Sequence, residues 1–454
     1  MNSSIFIEYE TKTREFDGKL LLINHLLNTG FEKIYFGAGR PLRKEALYQK
    51  NGVYCFKSIS VNEIPFYKKL KALGYTLCLI HAEGGVYYRD SSSSIESMFN
   101  QKALRFFDFN FVFGEEIKNN IEKVYGVAAS QICIVTGEPR FDLLKNKYLD
   151  FFKTDILNKK KEYGNYILIN TSFSASNPKA GEAVLRDYWL NEPTFSKKTK
   201  DLLMFKMDFF IDVLKLFIEA IEHISLENPD LNFVIRPHPS ESWDVYEKTF
   251  KTRKNVFVTN IGNVAPWIIG SCGVIHYDCT TGIETLLAKK PVISFAPIID
   301  DKIVAWLPIK VSKLVTSLEQ LNLEVKTISN NSYQEHLILD EDINILNGII
   351  SNFYQESSPI IAKKLIEYIK CYKFNDTLKA KVFRFLNTIN YDFRMSLKTC
   401  IYRIKGINDV GNDKRGNFEN REVQNKLETI INAEGFSFKF KIRKHSKHSC
   451  IIEN

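Results

Sequence analysis

The sequence predicts an α/β protein built from two doubly wound parallel sheets facing a cleft, followed by a basic C-terminal segment. Three observations predict it. Apolar runs of about four to six residues alternate with amphipathic stretches of about ten or more, in two successive blocks of the chain. The 454 residues are too many for one ordinary core. The net charge of +9 is concentrated at one end: Cys371 to Asn454 carries 17 Lys+Arg against 9 Asp+Glu, a net +8, so the rest is close to neutral.

The first block opens with a strand in "SIFIEY" and a helix in "REFDGKLLLINHLLNTG". Strands in "KIYFGAG", "GVYCFKSI" and "TLCLIH" follow, separated by helices in "PLRKEALYQ" and "PFYKKLKALG". "FNFVFG" and "ICIVTG" supply two more strands. A charged helical stretch, "FDLLKNKYLDFFKTDILNKKKEYG", reads as the bridge to the second block. There the strands are "NYILIN", "NFVIR", "NVFVTN", "GVIHY" and "PVISFA", with a long helix after the first and shorter ones near "APWIIGS" and "GIETLLAKK". This divides the chain into an N-terminal domain over 1–160, a C-terminal domain over 161–370 and a helical or flexible tail over 371–454. The helical stretches "DINILNGIISNFYQ" and "SPIIAKKLIEYIK" could pack on either domain.

Composition is that of a globular protein, with 44% hydrophobic and 25% charged residues. No apolar run reaches the roughly 18 residues of a membrane span, and Glu8, Glu10, Arg14, Glu15 and Asp17 fall where a secretion signal needs an uncharged core. A cytoplasmic location is expected. Eight cysteines without a two-residue pair argue for reduced thiols rather than a metal site. The basic tail points to an anionic surface, the inner face of the membrane, or to a solvated end. Nucleic acid is not expected, because the near-neutral body has no basic stripe with interleaved aromatics.

In doubly wound sheets ligands sit beyond the carboxyl ends of the strands, so the residues there carry the functional reading. "FVIRPHPSE" ends a strand with Arg236 and His238 between two rigid prolines, a guanidinium and an imidazole suited to a phosphate. "HYDCTTGIETLL" places Thr280 and Thr281 at a helix start, with Glu284 either completing a capping box with Thr281 or reaching a ribose hydroxyl. Ser172, in "INTSFS", is a further candidate donor to a nucleotide. In the first block Glu83 of "HAEGG" could act as base or nucleophile. Arg140 and Asp142 of "TGEPRFD", with Glu15 and Asp17 near the first turn, could contact an acceptor. Phosphate-binding motifs of the kinase type and of the dinucleotide type are absent, and no Asp-x-Asp follows a strand of the first block, so a metal-independent reaction is expected.

The motifs "REFDGKLLL", "HAEGG", "TGEPRFD", "INTSFS", "RPHP" and "DCTTGIETLLAKKPVISF", in that order over about residues 4 to 370, resemble bacterial surface-polysaccharide biosynthesis enzymes with the two-Rossmann glycosyltransferase architecture called GT-B. The His-Pro pair and Ser/Thr-rich helix start are similar to transferases of CMP-activated acidic sugars, the sialyl- and Kdo transferases of capsule and lipopolysaccharide. The Arg-Pro-His-Pro loop and the Gly-x-Pro-Arg turn are similar to the CDP-glycerol phosphotransferases of teichoic acid synthesis. The first resemblance implies a glycosyltransferase that moves a CMP-linked acidic sugar onto a glycan or lipid-linked glycan, with His238 and Glu83 catalytic, no cofactor, and phosphate contacts from Arg236 and Thr280–Thr281. It also implies a carboxylate before the glycine in the first domain; here Glu83 alone stands in that place. The alternatives are a CDP-polyol phosphotransferase, a sugar-nucleotide epimerase, or a non-catalytic sugar-nucleotide binding module.

Overall fold

The computed structural model describes residues 4–49, 51–81, 95–96, 98–193, 195–330, 346, 348–371 and 418–454. Every strand expected in the two blocks forms. The first sheet contains β1 (Ser4–Glu8), β2 (Lys33–Gly37), β3 (Gly52–Phe56), β4 (Thr76–Ile80), β5 (Phe109–Val112) and β6 (Cys133–Val135). All pair in parallel, in the order β2-β1-β3-β4-β5-β6. Near-continuous apolar runs are what a sheet covered on both faces requires. Phe6 illustrates this, stacked on Tyr35 at 4.4 Å and on Tyr54 at 5.8 Å across its two neighbours.

The second sheet is formed by β7 (Tyr166–Asn170), β8 (Asn232–Arg236), β9 (Val256–Val258), β10 (Gly273–His276), β11 (Val292–Phe295) and β12 (Lys313–Val315), all parallel. Its order is β12-β11-β10-β7-β8-β9. The chain therefore winds outward from β7 in one direction, then restarts at β10 on the other side. The gap between β7 and β10 is the topological switch point of a doubly wound fold. One face packs on the long helix Lys197–Glu227 through Phe210, Val213, Phe217 and Ile224; the other carries a small cluster of Tyr166, Leu168, Val234, Trp267, Ile268 and Val274. β12, absent from the sequence reading, is Lys-Leu-Val with Leu314 exposed, so it lacks the apolar run that marks the other strands.

The chain divides into two compact units, Met1–Gly84 with Ser91–Phe151 and Asp342–Asn454, and Phe152–Glu341 with Gly85–Asp90. The crossing falls in the helix Leu149–Tyr163, within the expected bridge. Among the described residues, 348–371 and 418–454 group with the first unit. The helix Asn420–Glu434 lies against the helix Lys12–Asn28, burying Val423, Leu427 and Ile430. β13 (Lys441–Ser446) and β14 (Ser449–Glu453) form a hairpin, and β14 adds antiparallel to β2. A Cβ on Gly37 would come within 2.3 Å of Ser449 Cβ, so only glycine lets the hairpin close here.

The basic run "KIRKHS" is thus an outer edge strand. Lys441, Arg443 and Lys444 are exposed on it, and charge there blocks pairing with a second chain. Composition alone could not separate this role from a surface-binding tail. No helix among the described residues is long and apolar enough to cross a membrane.

Candidate functional site

The apolar strands of the second sheet end in a polar row. His276 pairs with Ser294 of β11, Ile275 pairs with Ile169, and Asn170 pairs with Arg236 of β8. Ser294, His276, Asn170 and Arg236 therefore follow one another across four strands. They share the face that carries Leu168, Val234 and Val274, since strand side chains alternate. Asn170 and His276 flank the switch point. Asn170 Nδ2 is buried without a hydrogen-bond partner among the described residues, while Thr281, just beyond β10, is buried with its hydroxyl toward the Cys279 thiol.

Arg236 does not present itself to a phosphate as the sequence reading has it. It is 7% exposed, and its guanidinium donates to the carbonyls of Ile261 at 3.0 Å, Asn260 at 3.3 Å and Gly262 at 3.1 Å, while stacking on Trp267. Burial pushes its pKa down to about 9, only partly countered by Tyr166 and Tyr163. The side chain fastens the loop after β9. The buried strand-end position draws it inward to whatever acceptors the neighbouring loop offers, which sequence does not show.

His238 is exposed at the end of the same strand segment. Its Nδ1 accepts from the Ser240 N–H at 3.2 Å and lies 2.9 Å from Ser174 Oγ. A backbone N–H can only donate, so Nδ1 is the acceptor and the neutral ring carries its proton on Nε2. The imidazole is preset as a donor.

Ser172, expected to contact a nucleotide directly, donates to Asp278 Oδ1 at 2.7 Å, a bond that spans the switch point from β7 to β10. Burial raises the Asp278 pKa, and bonds from Ser172 and from the Ala305 N–H oppose that rise. Thr280 caps the helix Thr281–Leu287 without a side-chain bond, so the Thr281–Glu284 capping box does not form; Glu284 is buried at 5% exposure.

Beneath this helix His276 is fully buried. Its Nδ1 accepts from Cys279 N–H at 3.3 Å, so its Nε2–H faces Ser312 Oγ at 2.8 Å, and Ser312 in turn donates to the Pro308 carbonyl. A Cβ on Gly282 would approach His276 Nε2 to 2.5 Å, so glycine is what admits the ring. Burial holds the His276 pKa down to about 3, against 6.5 for a free imidazole. Below pH 6.5 the unfolded chain therefore binds a proton that the folded one refuses, and stability falls until about pH 3. Urea unfolding at pH 7 and pH 5 should show the advantage of wild type over His276→Asn shrinking by about 2 kcal/mol at the lower pH. An unchanged difference contradicts the assigned burial.

Glu241 is the residue that sequence reading missed. It is 0% exposed, and burial lifts its pKa to about 7 despite four donors: Thr171 Oγ1 and Tyr246 OH at 2.8 Å each, Phe173 N–H at 2.7 Å and His238 N–H at 3.3 Å. Its one signal was position, three residues after the histidine. A glutamate in a loop otherwise reads as solvated.

In the first unit Glu83 lies outside the described residues. The residues expected to contact an acceptor make contacts within the first unit. Glu15 is buried and accepts from the Glu10 and Thr11 N–H groups and from Arg14, closing the start of the first helix. Asp17 accepts from Lys426 Nζ at 2.5 Å, tying down the C-terminal helix. Arg140 lies over Phe141, its backbone so close to Gly18 that a Cβ there would meet Arg140 Cα at 2.5 Å. Asp142 is fully buried and accepts from Asn352 Nδ2 at 2.7 Å and from the Ser357 and Ser358 N–H groups at 3.0 and 2.9 Å. It caps the helix Ser357–Cys371, and burial raises its pKa to about 6. Helix caps use the same acidic and hydroxyl residues as binding sites, and the partner here is 210 or more residues away. Among the described residues no three His, Cys, Asp or Glu side chains gather as a metal site.

No protein-family profile matches the chain, and no curated protein matches it in sequence. Solved structures do. The UDP-GlcNAc 2-epimerase from Methanocaldococcus jannaschii is 13% identical over 81% of this chain and 100% of its own, with a TM-score of 0.51. The S. aureus MnaA–UDP co-structure is 14% identical over 83% and 100%, at 0.48. The wall teichoic acid polymerase TagF is 11% identical over 81% and 89%, at 0.47. At such identity the likeness is one of fold. The chain has the GT-B-type architecture of two Rossmann-like sheets.

Proposed function

We propose that this protein is an enzyme acting on a pyrimidine-nucleotide-activated sugar or polyol of bacterial surface-glycan synthesis, and that its second unit takes the nucleotide phosphate at the carboxyl edge of β7, β8 and β10. The observation that carries the reading is unmet hydrogen-bonding capacity at the switch point, the buried Asn170 Nδ2, together with a His238 in the loop after the neighbouring β8 whose proton sits on Nε2. Buried polar groups cost stability unless satisfied, so an amide left open at the switch point of a doubly wound sheet supports a ligand there. With Arg236 occupied, phosphate recognition rests on neutral donors. Preorganised N–H and O–H groups stabilise charge that develops on a departing phosphate.

A neighbour in fold supports one ranking of the possible reactions. One protein sharing the fold is by name a UDP-GlcNAc 2-epimerase, so we rank epimerisation of a UDP-linked sugar first, and phosphopolyol transfer from a CDP-polyol, whose enzymes the Arg-Pro-His-Pro and Gly-x-Pro-Arg motifs resemble, second. Transfer of a CMP-linked acidic sugar comes after them, because its support is the His-Pro and Ser/Thr-rich helix-start resemblance alone. The proposal includes no further cofactor.

Calorimetry with UDP, CDP and CMP tests the common premise. Binding of at least one is expected, with His238→Ala weakening it about tenfold, the loss of one strong hydrogen bond to an anion. No heat from any of the three overturns the reading. Incubation with UDP-GlcNAc alone then separates the reactions: a new epimer without acceptor supports epimerisation, and UDP release only with a glycan acceptor supports transfer.

A further inference from the structure

Three chain segments meet on one carboxylate. Glu241 Oε1 accepts from the Phe173 and His238 N–H groups, and Oε2 from the Thr171 and Tyr246 hydroxyls, so it joins the loop after β7, the loop after β8 and the helix Asp244–Phe250. Its own N–H donates to the His238 carbonyl at 2.8 Å. Flanking bonds lace the same loops, Lys179 N–H to the Ser240 carbonyl at 3.0 Å and Ser242 N–H to the Asn177 carbonyl at 2.9 Å. What this junction brings together is Ser174, on the first loop, and the His238 ring, on the second.

We propose that Glu241 is the positioning residue for His238: by holding the 171–173 and 238–241 segments on one carboxylate it keeps Nδ1 an acceptor and the ring proton on Nε2. It touches neither ring nitrogen and acts through the backbone. The effect on ligand binding rests on the proposed function; the effect on the tautomer does not.

The geometry separates position from charge. Glu241→Gln can keep its carbonyl oxygen on the two backbone donors, which cannot reverse. Its NH2 then faces the Thr171 and Tyr246 hydroxyls, which can rotate to accept. Glu241→Ala leaves the Phe173 and His238 N–H groups buried without that acceptor. Glu241→Asp is one methylene shorter and cannot reach both loops at once.

The full chain labelled with 15N-histidine carries eight histidines, and a His238→Gln spectrum identifies the ring in question. Two-bond 15N–1H correlation spectra of wild type and Glu241→Gln are expected to show His238 protonated on Nε2 alone. Glu241→Asp and Glu241→Ala are expected to show exchange between tautomers, and to weaken nucleotide binding about as much as His238→Ala, roughly tenfold. If the alanine variant does not fold, the aspartate variant carries the test. The proposal is overturned if the aspartate or alanine variant keeps the single tautomer, or if the glutamine variant behaves like alanine. A wild type that binds no nucleotide defeats the functional reading but leaves the tautomer result decisive for Glu241.

Discussion

Deleting residues 418–454 is expected to unfold the first unit rather than to release a peripheral tail. The segment buries Phe418, Val423, Leu427, Ile430, Cys450, Ile451 and Ile452, each at 5% exposure or less. Burial of such side chains is worth about 1.5–3 kcal/mol apiece, and even discounted for a compact unfolded chain the sum rivals the ~5–15 kcal/mol that holds a domain together. β2 would become a bare edge over the five residues that now pair with β14. Lys426–Asp17, Lys12–Glu422 and Lys147–Glu434 would be lost as well, though partly exposed pairs of this kind contribute little. The truncated chain should appear mostly in the insoluble fraction, and what remains soluble should lack a cooperative thermal transition for the first unit. A soluble truncation with the wild-type melting temperature would show that the hairpin is dispensable.

Asp142→Ala is expected to cost about 3–5 kcal/mol, most of it from stranding the Ser357 and Ser358 N–H groups and the Asn352 amide inside the protein. Asp142→Asn keeps one acceptor oxygen and should cost roughly half as much. The pH dependence has a definite sign. Burial raises the folded pKa to about 6 from 3.8, so the folded state binds the proton more tightly and Asp142 itself makes stability fall as pH rises from about 4 to 6. Urea unfolding of wild type and Asp142→Ala at pH 4 and pH 7 measures this: the gap should be wider at pH 4. A loss below 1 kcal/mol for alanine would mean that solvent or another side chain caps the helix.

Both predictions concern residues that sequence reading assigned to ligands or to a membrane, and the reason is shared. An aspartate after "GEPRF" and lysines after "KFKI" are chemically fit for either use. Which use obtains depends on a partner far along the chain, Ser357 for Asp142 and β2 for the hairpin, and no local pattern records such a partner. Glu241 is the converse case. Its neighbours Thr171 and Phe173 come from the loop after β7 and Tyr246 from the helix Asp244–Phe250, so a residue that reads as a solvated loop carboxylate is fully enclosed.

What the sequence determined by itself was the pair of parallel sheets, because strand and helix periods are local properties of where apolar side chains fall. It also showed where polar residues interrupt the apolar runs, at the carboxyl ends of β7, β8 and β10, where ligands of doubly wound sheets are expected. Only the tertiary structure decided how those polar residues divide their work: Arg236 turned onto carbonyls, His276 sealed and neutral, His238 set as a donor, Asn170 left open. The partners that make that division lie from two positions away, as Ser240 does from His238, to several tens, as Ser312 does from His276 and Ser174 from His238, and the folded backbone is what brings them within reach.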